Sequence, residues 1–138
     1  MILAGLPTRG TDTHGSGKWM APRGSRKHKG VDFACYPDTE IYSGSAGQVT
    51  KLGYPYADKL QYRYVEVTTP QGIKYRYFYV KPSVEVGNKV DKGTLLGLAQ
   101  DLTDTYPGIT NHVHFEVMDL EGKKVNPWAY LEKMSYAT

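Results

Sequence analysis

Four residues of this chain have the types and spacings that hold and use a metal ion. His28 and Asp32 stand four apart in Arg26-Lys27-His28-Lys29-Gly30-Val31-Asp32, and His112 and His114 stand two apart much later in the sequence. Histidine and aspartate are ordinary zinc ligands, and a catalytic zinc site takes three protein ligands and keeps a fourth position open for water. His28, Asp32 and either of the later histidines make that count. Zinc so held would lower the pKa of water towards ~7 and polarise a carbonyl. The histidine left over would act as a general base or as a donor to an oxyanion. Neither motif is specific by itself. A His-x-x-x-Asp arises often by chance, and paired strand histidines often only face solvent.

The elements that position these groups can be read from periodicity. Val113, Phe115 and Val117 alternate with His112, His114 and Glu116, the period of a half-buried strand. One face must pack on a core, and the other carries two imidazoles about 7 Å apart. Val31-Asp32-Phe33-Ala34 reads as a second strand, with Val31 and Phe33 towards the core and Asp32 turned to the side of Ala34. His28 precedes it in a turn-like run. Residues 8–30, rich in Gly, Ser, Thr and basic residues, read as an ordered loop. His14, within it, reads as a surface histidine.

Short strands follow at Glu40–Tyr42 and 47–52, and residues 54–59 read as a loop. Residues 62–69 and 73–80 form a hairpin around Pro70-Gln71-Gly72, with Val65 and Val67 inward. Residues 84–93 read as two short extended pieces around a glycine turn, residues 94–99 as a strand, and residues 101–110 as a long polar loop. Asn126-Pro127 opens a closing helix over 126–133, with Asn126 as N-cap and Pro127 in the first helical position. Many short strands with Gly/Pro turns and one helix predict a mostly β, antiparallel fold, a β-rich α+β domain with a short C-terminal helix.

At 138 residues the chain is sized for a single domain. Charged residues at 22% and hydrophobic ones at 40% exclude wholesale disorder. The net charge of +3 suits an anionic partner such as a wall polymer, but no basic run suggests nucleic acid. Cys35 is the only cysteine, so no intrachain disulfide forms; a small structural residue is the favoured reading over a nucleophile. No stretch is long and apolar enough to span a membrane, and Met1–Pro7 lacks the features of a signal peptide.

Read together, the motifs resemble the lysostaphin/LytM-type zinc metallopeptidases. The first match is Gly24-Ser25-Arg26-Lys27-His28-Lys29-Gly30-Val31-Asp32-Phe33-Ala34. The second is Val84-x-Val86-Gly87-x-x-Val90-x-x-Gly93-x-x-x-Gly97, followed by His112-x-His114-Phe115-Glu116-Val117. The resemblance runs in order from about Gly15 to Pro127. It implies a groove floored by the sheet and walled by loops 8–27, 54–61 and 101–111, with the N-terminal segment 1–27 as part of the wall. It also implies one zinc ion per chain, held by His28, Asp32 and His114, with His112 as a catalytic residue outside the ligand set. One position departs. Where the family carries a further catalytic histidine this chain reads Tyr77-Phe78-Tyr79-Val80, which puts Tyr79 in that place. A phenol with a pKa of about 10 stays protonated at neutral pH and donates a hydrogen bond, but is a poor base. The bland alternative is a tyrosine suited to a strand.

The activity implied is cleavage of peptide cross-links or stem peptides of bacterial peptidoglycan. Metal-activated water would attack a peptide carbonyl, with His112 assisting proton transfer and Tyr79 steadying the oxyanion. The expected form is a monomer with no nucleic-acid or membrane partner. The expected setting is a bacteriophage lysin or virion-associated wall hydrolase, made in the cytoplasm and delivered to the wall. The alternative is a degenerate, non-catalytic wall-binding or regulatory module of the same fold. The Val-x-Val-Gly segment is also similar to biotinyl/lipoyl carriers and phosphocarrier domains, but no suitably placed carrier lysine is found.

Overall fold

The structure is a computed structural model that describes residues 7–12, 15–23 and 26–136; His14 lies outside them. The expected antiparallel β architecture is present, with one short helix at the C-terminal end. In chain order the strands are β1 Thr11–Asp12, β2 Gly15–Ser16, β3 Pro22–Arg23, β4 Arg26–Lys27, β5 Val31–Ala34, β6 Glu40–Tyr42 and β7 Gly47–Gly53. They continue as β8 Tyr64–Thr68, β9 Lys74–Phe78, β10 Val80–Pro82, β11 Lys89–Val90, β12 Leu95–Ala99, β13 His112–Met118 and β14 Lys124–Val125, before helix α1 Trp128–Tyr136.

Seven strands form the main sheet, in the order β11-β7-β8-β9-β13-β14, with β5 also paired to β13. Strand β13 is its organising element. One edge pairs with β9, while the other is shared, β5 taking His112–Phe115 and β14 taking Val117–Met118. A second sheet, β10-β12-β6, covers the apolar side. The core joins Val31, Phe33, Val65, Val67, Tyr77, Val113, Phe115 and Val117 of the main sheet to Ile41, Val80, Leu96 and Ala99 of the second sheet, and to Leu131 and Met134 of α1. Alternation along each strand places these side chains on one face.

Four readings of the sequence change. The stretch 8–30 is not a simple loop, because two small ladders, β1 with β2 and β3 with β4, form within it. Only Lys89–Val90 of the stretch 84–93 is a strand. The remainder turns at Gly87, whose φ of 98° favours glycine. Helix α1 begins at Trp128 and extends to Tyr136; Asn126 Oδ1 still accepts from the Trp128 N–H at 3.2 Å, as a cap should. The hairpin arm expected over 73–80 stops at Phe78. Tyr79 has φ 67°, and past it the chain leaves the main sheet for the second as β10. A left-handed tyrosine is uncommon. Tyr79 is therefore not a residue placed by strand propensity.

A candidate metal centre on the floor of an open groove

Cross-strand pairing assembles the polar face of the main sheet in rows. In one row Tyr64 faces Phe78, Phe78 faces His114, and His114 faces Asp32. Directly opposed residues of this kind have Cβ atoms about 5 Å apart, which is how Asp32 and His114 meet despite their separation in sequence. Two residues along lies a row of charge, in which Glu66 faces Arg76 and Arg76 faces Glu116. Arg76 Nε donates to Glu66 Oε2 at 2.7 Å, and Thr50, displaced where β7 and β8 slip register, donates to Glu66 Oε1 at 2.8 Å.

His28 reaches the first row from the turn before β5. Its Nε2 lies 3.1 Å from Asp32 Oδ1 and 2.9 Å from His114 Nδ1, while His114 Nδ1 lies 2.8 Å from Asp32 Oδ1. Gly30, between the two ends of His-x-x-x-Asp, makes this approach possible. A Cβ there would stand 2.5 Å from the Phe115 carbonyl oxygen and 2.6 Å from the His114 ring. The three donors are buried and all lie within 4.8 Å of one another.

The outer hydrogen bonds fix how these rings face. His28 Nδ1 donates to the Lys18 carbonyl at 2.7 Å, which turns the lone pair of Nε2 inward. His114 Nε2 donates to Glu116 Oε2 at 2.9 Å, which turns Nδ1 towards Asp32. Two imidazole nitrogens and a carboxylate oxygen thus converge, an arrangement that requires positive charge at its centre. A proton on His114 supplies part of it: burial opposes the charge, yet hydrogen bonds with Asp32 and Glu116 outweigh burial and lift its pKa to about 9. Burial likewise works against the Asp32 carboxylate, but hydrogen bonds from His114 and His28 hold its pKa well below the ordinary carboxylate range. A divalent cation would engage all three donors together. The donor set fits zinc, with Lys18 and Glu116 as outer partners of the kind that orient ligating histidines.

His112 stands beside this cluster without joining it. Its Nδ1 donates to the Thr110 carbonyl at 2.8 Å, leaving Nε2 as acceptor, 3.5 Å from Asp32 Oδ2. Burial holds its pKa below the usual histidine value, against the pull of Asp32. Tyr79 packs edge-on against His112, with ring centroids 5.5 Å apart. Its hydroxyl is 2.6 Å from that of Tyr56, and burial, with the neighbouring Tyr56, pushes its pKa up so that it stays protonated. Tyr79 cannot serve as a base.

These groups line a groove of about 570 Å³, a size suited to a bound ligand. Its walls include Tyr54 and Tyr56 from one expected loop, and Leu102, Tyr106 and Ile109 from another. Cys35 lies outside it, part-buried against the core, and burial raises its thiol pKa to about 11. It is a structural residue. Sequence reasoning missed Arg9, which lines the groove and binds Asp32, and the role of Glu116 behind His114. No local pattern marked Arg9; the signal for Glu116 was its place on the same strand face as the histidines.

An antiparallel sheet that carries a histidine and an aspartate, with a second histidine brought onto them from the turn before β5, has the plan of a lysostaphin/LytM-type peptidase. The chain belongs to peptidase family M23, whose sequence profile matches residues 26–127. It is 32% identical over 123 residues to leukocyte cell-derived chemotaxin-2 of Bos taurus, covering 89% of this chain and 78% of that one. It is 28% identical over 145 residues to myeloid protein 1 of Gallus gallus, covering 96% and 41%. Among solved structures, lysostaphin from Staphylococcus simulans matches with a TM-score of 0.70 at 20% identity, over 97% of this chain and 52% of that one. A zinc containing peptidase from Vibrio cholerae matches with a TM-score of 0.62 at 26% identity, over 83% and 34%. The chain thus spans about half of lysostaphin and less of the other longer relatives. Among the described residues, no helix is long and apolar enough to cross a membrane.

Proposed function

We propose that the chain is a zinc-dependent endopeptidase of bacterial peptidoglycan, acting on peptide cross-links or stem peptides at the cell wall. The observation that carries this reading is the convergence of His28 Nε2, Asp32 Oδ1 and His114 Nδ1 on the floor of an open groove. Zinc bound there supplies Lewis acidity towards water and towards a peptide carbonyl. With the extra proton of His114 displaced by the metal, His28 and His114 would offer neutral nitrogens whose other ring N–H groups are tied to Lys18 and Glu116. His112, with Nδ1–H held by Thr110, keeps Nε2 available to accept a proton and later return it to the leaving amine. Tyr79, protonated and linked to Tyr56, offers hydroxyl donors where negative charge develops on the carbonyl oxygen. The tyrosine-lined walls and the cations Arg76 and Lys124 on the floor suit an extended peptide bearing carboxylates.

The decisive experiment pairs zinc stoichiometry with release of new amino groups from purified sacculi, the bond being identified by mass spectrometry of the fragments. One zinc per chain together with amino-group release is the expected result, and removal of zinc by a chelator should abolish release. Zinc without release would favour the second reading, a non-catalytic wall-binding or regulatory module. Two observations favour that reading: Tyr79 stands where the family carries a histidine, and two relatives are named as a leukocyte chemotaxin and a myeloid protein rather than as peptidases.

A further inference from the structure

We infer that Arg9 is a positioning residue of the metal centre. It occupies the outer oxygen of Asp32, so that Asp32 offers the ion one oxygen and not two, and through Asp12 it sets the loop that aims His112. This rests on the metal-centre reading above.

The side chains of Arg9 and Asp32 are 3% and 1% exposed, and Arg9 Nη1 donates to Asp32 Oδ2 at 2.8 Å. A guanidinium so buried needs its charge paired and its donors engaged. The rest of the fork goes to Asp12, with Nε donating to Oδ2 at 3.0 Å and Nη2 to Oδ1 at 2.9 Å. This two-pronged grip is one that arginine makes and lysine cannot. The two oxygens of Asp32 are thereby divided, Oδ2 bound by Arg9 with His112 Nε2 3.5 Å away, and Oδ1 towards His28 and His114.

The same link runs on to His112. Asp12 Oδ2 accepts the Thr110 N–H at 2.8 Å, and the Thr110 carbonyl accepts from His112 Nδ1 at 2.8 Å. One series, Asp32–Arg9–Asp12–Thr110–His112, therefore ties a metal-facing carboxylate to the proton-transfer group without passing through the ion. The backbone reinforces it. Arg9 N–H donates to the Asp32 carbonyl at 3.0 Å, and Asp32 N–H donates to the Gly17 carbonyl at 2.9 Å. A Cβ on Gly17 would fall 2.8 Å from the Cβ of both Arg9 and Asp32, so no side chain fits between them.

The test uses the full chain loaded with zinc or with cobalt(II), whose visible absorption weakens as coordination rises above four. Arg9→Gln should lower that absorption, as Asp32 Oδ2 loses the guanidinium that draws it away from the ion. It should also weaken zinc binding in competition with a chelator by about 10- to 100-fold. Arg9→Lys, which keeps the charge but cannot span both carboxylates, should fall between Gln and the native chain. Asp12→Asn should shift the His112 ring resonances in NMR spectra more than it shifts zinc affinity. A native cobalt spectrum and native zinc affinity in Arg9→Gln would overturn the inference. If that variant does not fold, a native spectrum and affinity in Arg9→Lys would overturn it equally. Failure of the native chain itself to bind zinc would instead remove the metal centre.

Discussion

The two faces of β13 are built from one stretch of backbone, and both are withdrawn from solvent. On one face Val113, Phe115 and Val117 are wholly buried among other apolar side chains. On the other, His112 and Glu116 are nearly as buried, at 4% and 5% exposure. Burial therefore does not separate core from site. What separates them is how each face meets the demands of burial. The apolar face needs only close packing. The polar face must find a partner for each charge and each N–H, and its partners come from β5, β14, the turn before β5 and the loop before β13. Substitutions on the first face should act on stability, and substitutions on the second on chemistry.

The largest expected effect is on the polar face. His112→Ala should lower turnover by about 10²–10⁴-fold while zinc stays near one per chain; loss of zinc in that variant would break the division between ligand and base. On the apolar face, Phe115→Ala should cost about 3–5 kcal/mol in denaturant unfolding with zinc stoichiometry unchanged in the folded fraction. Stability near that of the native chain would show that the second sheet, not β13, carries the core. Tyr79→Phe removes only a hydroxyl, and a rate reduced about tenfold is expected from one lost hydrogen bond. An unchanged rate would assign Tyr79 to the scaffold. The smallest effect concerns Glu66. Burial would raise its pKa, but hydrogen bonds from Arg76 and Thr50 leave it below the ordinary value. Its contribution to stability is then present above the unfolded pKa of about 4.3 and is lost as pH falls through the folded value. Urea midpoints measured across the acid range should show a shallower decline in Glu66→Gln; identical curves would remove Glu66 from the account.

How much of this was legible in the sequence depended on whether the cause was local. Alternation in 112–118 and 31–34 set which side chains share a face, and that parity is what brings Asp32, His112 and His114 to the same side. The hairpin over 64–78 followed from β-branched and aromatic residues around Pro70-Gln71-Gly72. By contrast, Tyr79 sits in a run of aromatic residues that favours continued strand, and only the transfer of the chain to the second sheet imposes its left-handed backbone. Arg9 and Asp12 lie in a segment without periodicity, and their partners stand 23 and 98 residues away. Local pattern carries no information about such distances.

The pairing of β5 with β13 has a consequence for when the groove becomes functional. His28 and His114 are 86 residues apart, and joining the ends of a loop that long costs about 4 kcal/mol of chain entropy. Main-chain hydrogen bonds and the apolar residues behind them meet that cost, because register alone sets His114 opposite Asp32. An ion binding there would thus meet donors already gathered and have little left to organise. Capture of the ion should therefore be fast in the folded chain, and it should begin only after β13 has docked, late in the maturation of the protein.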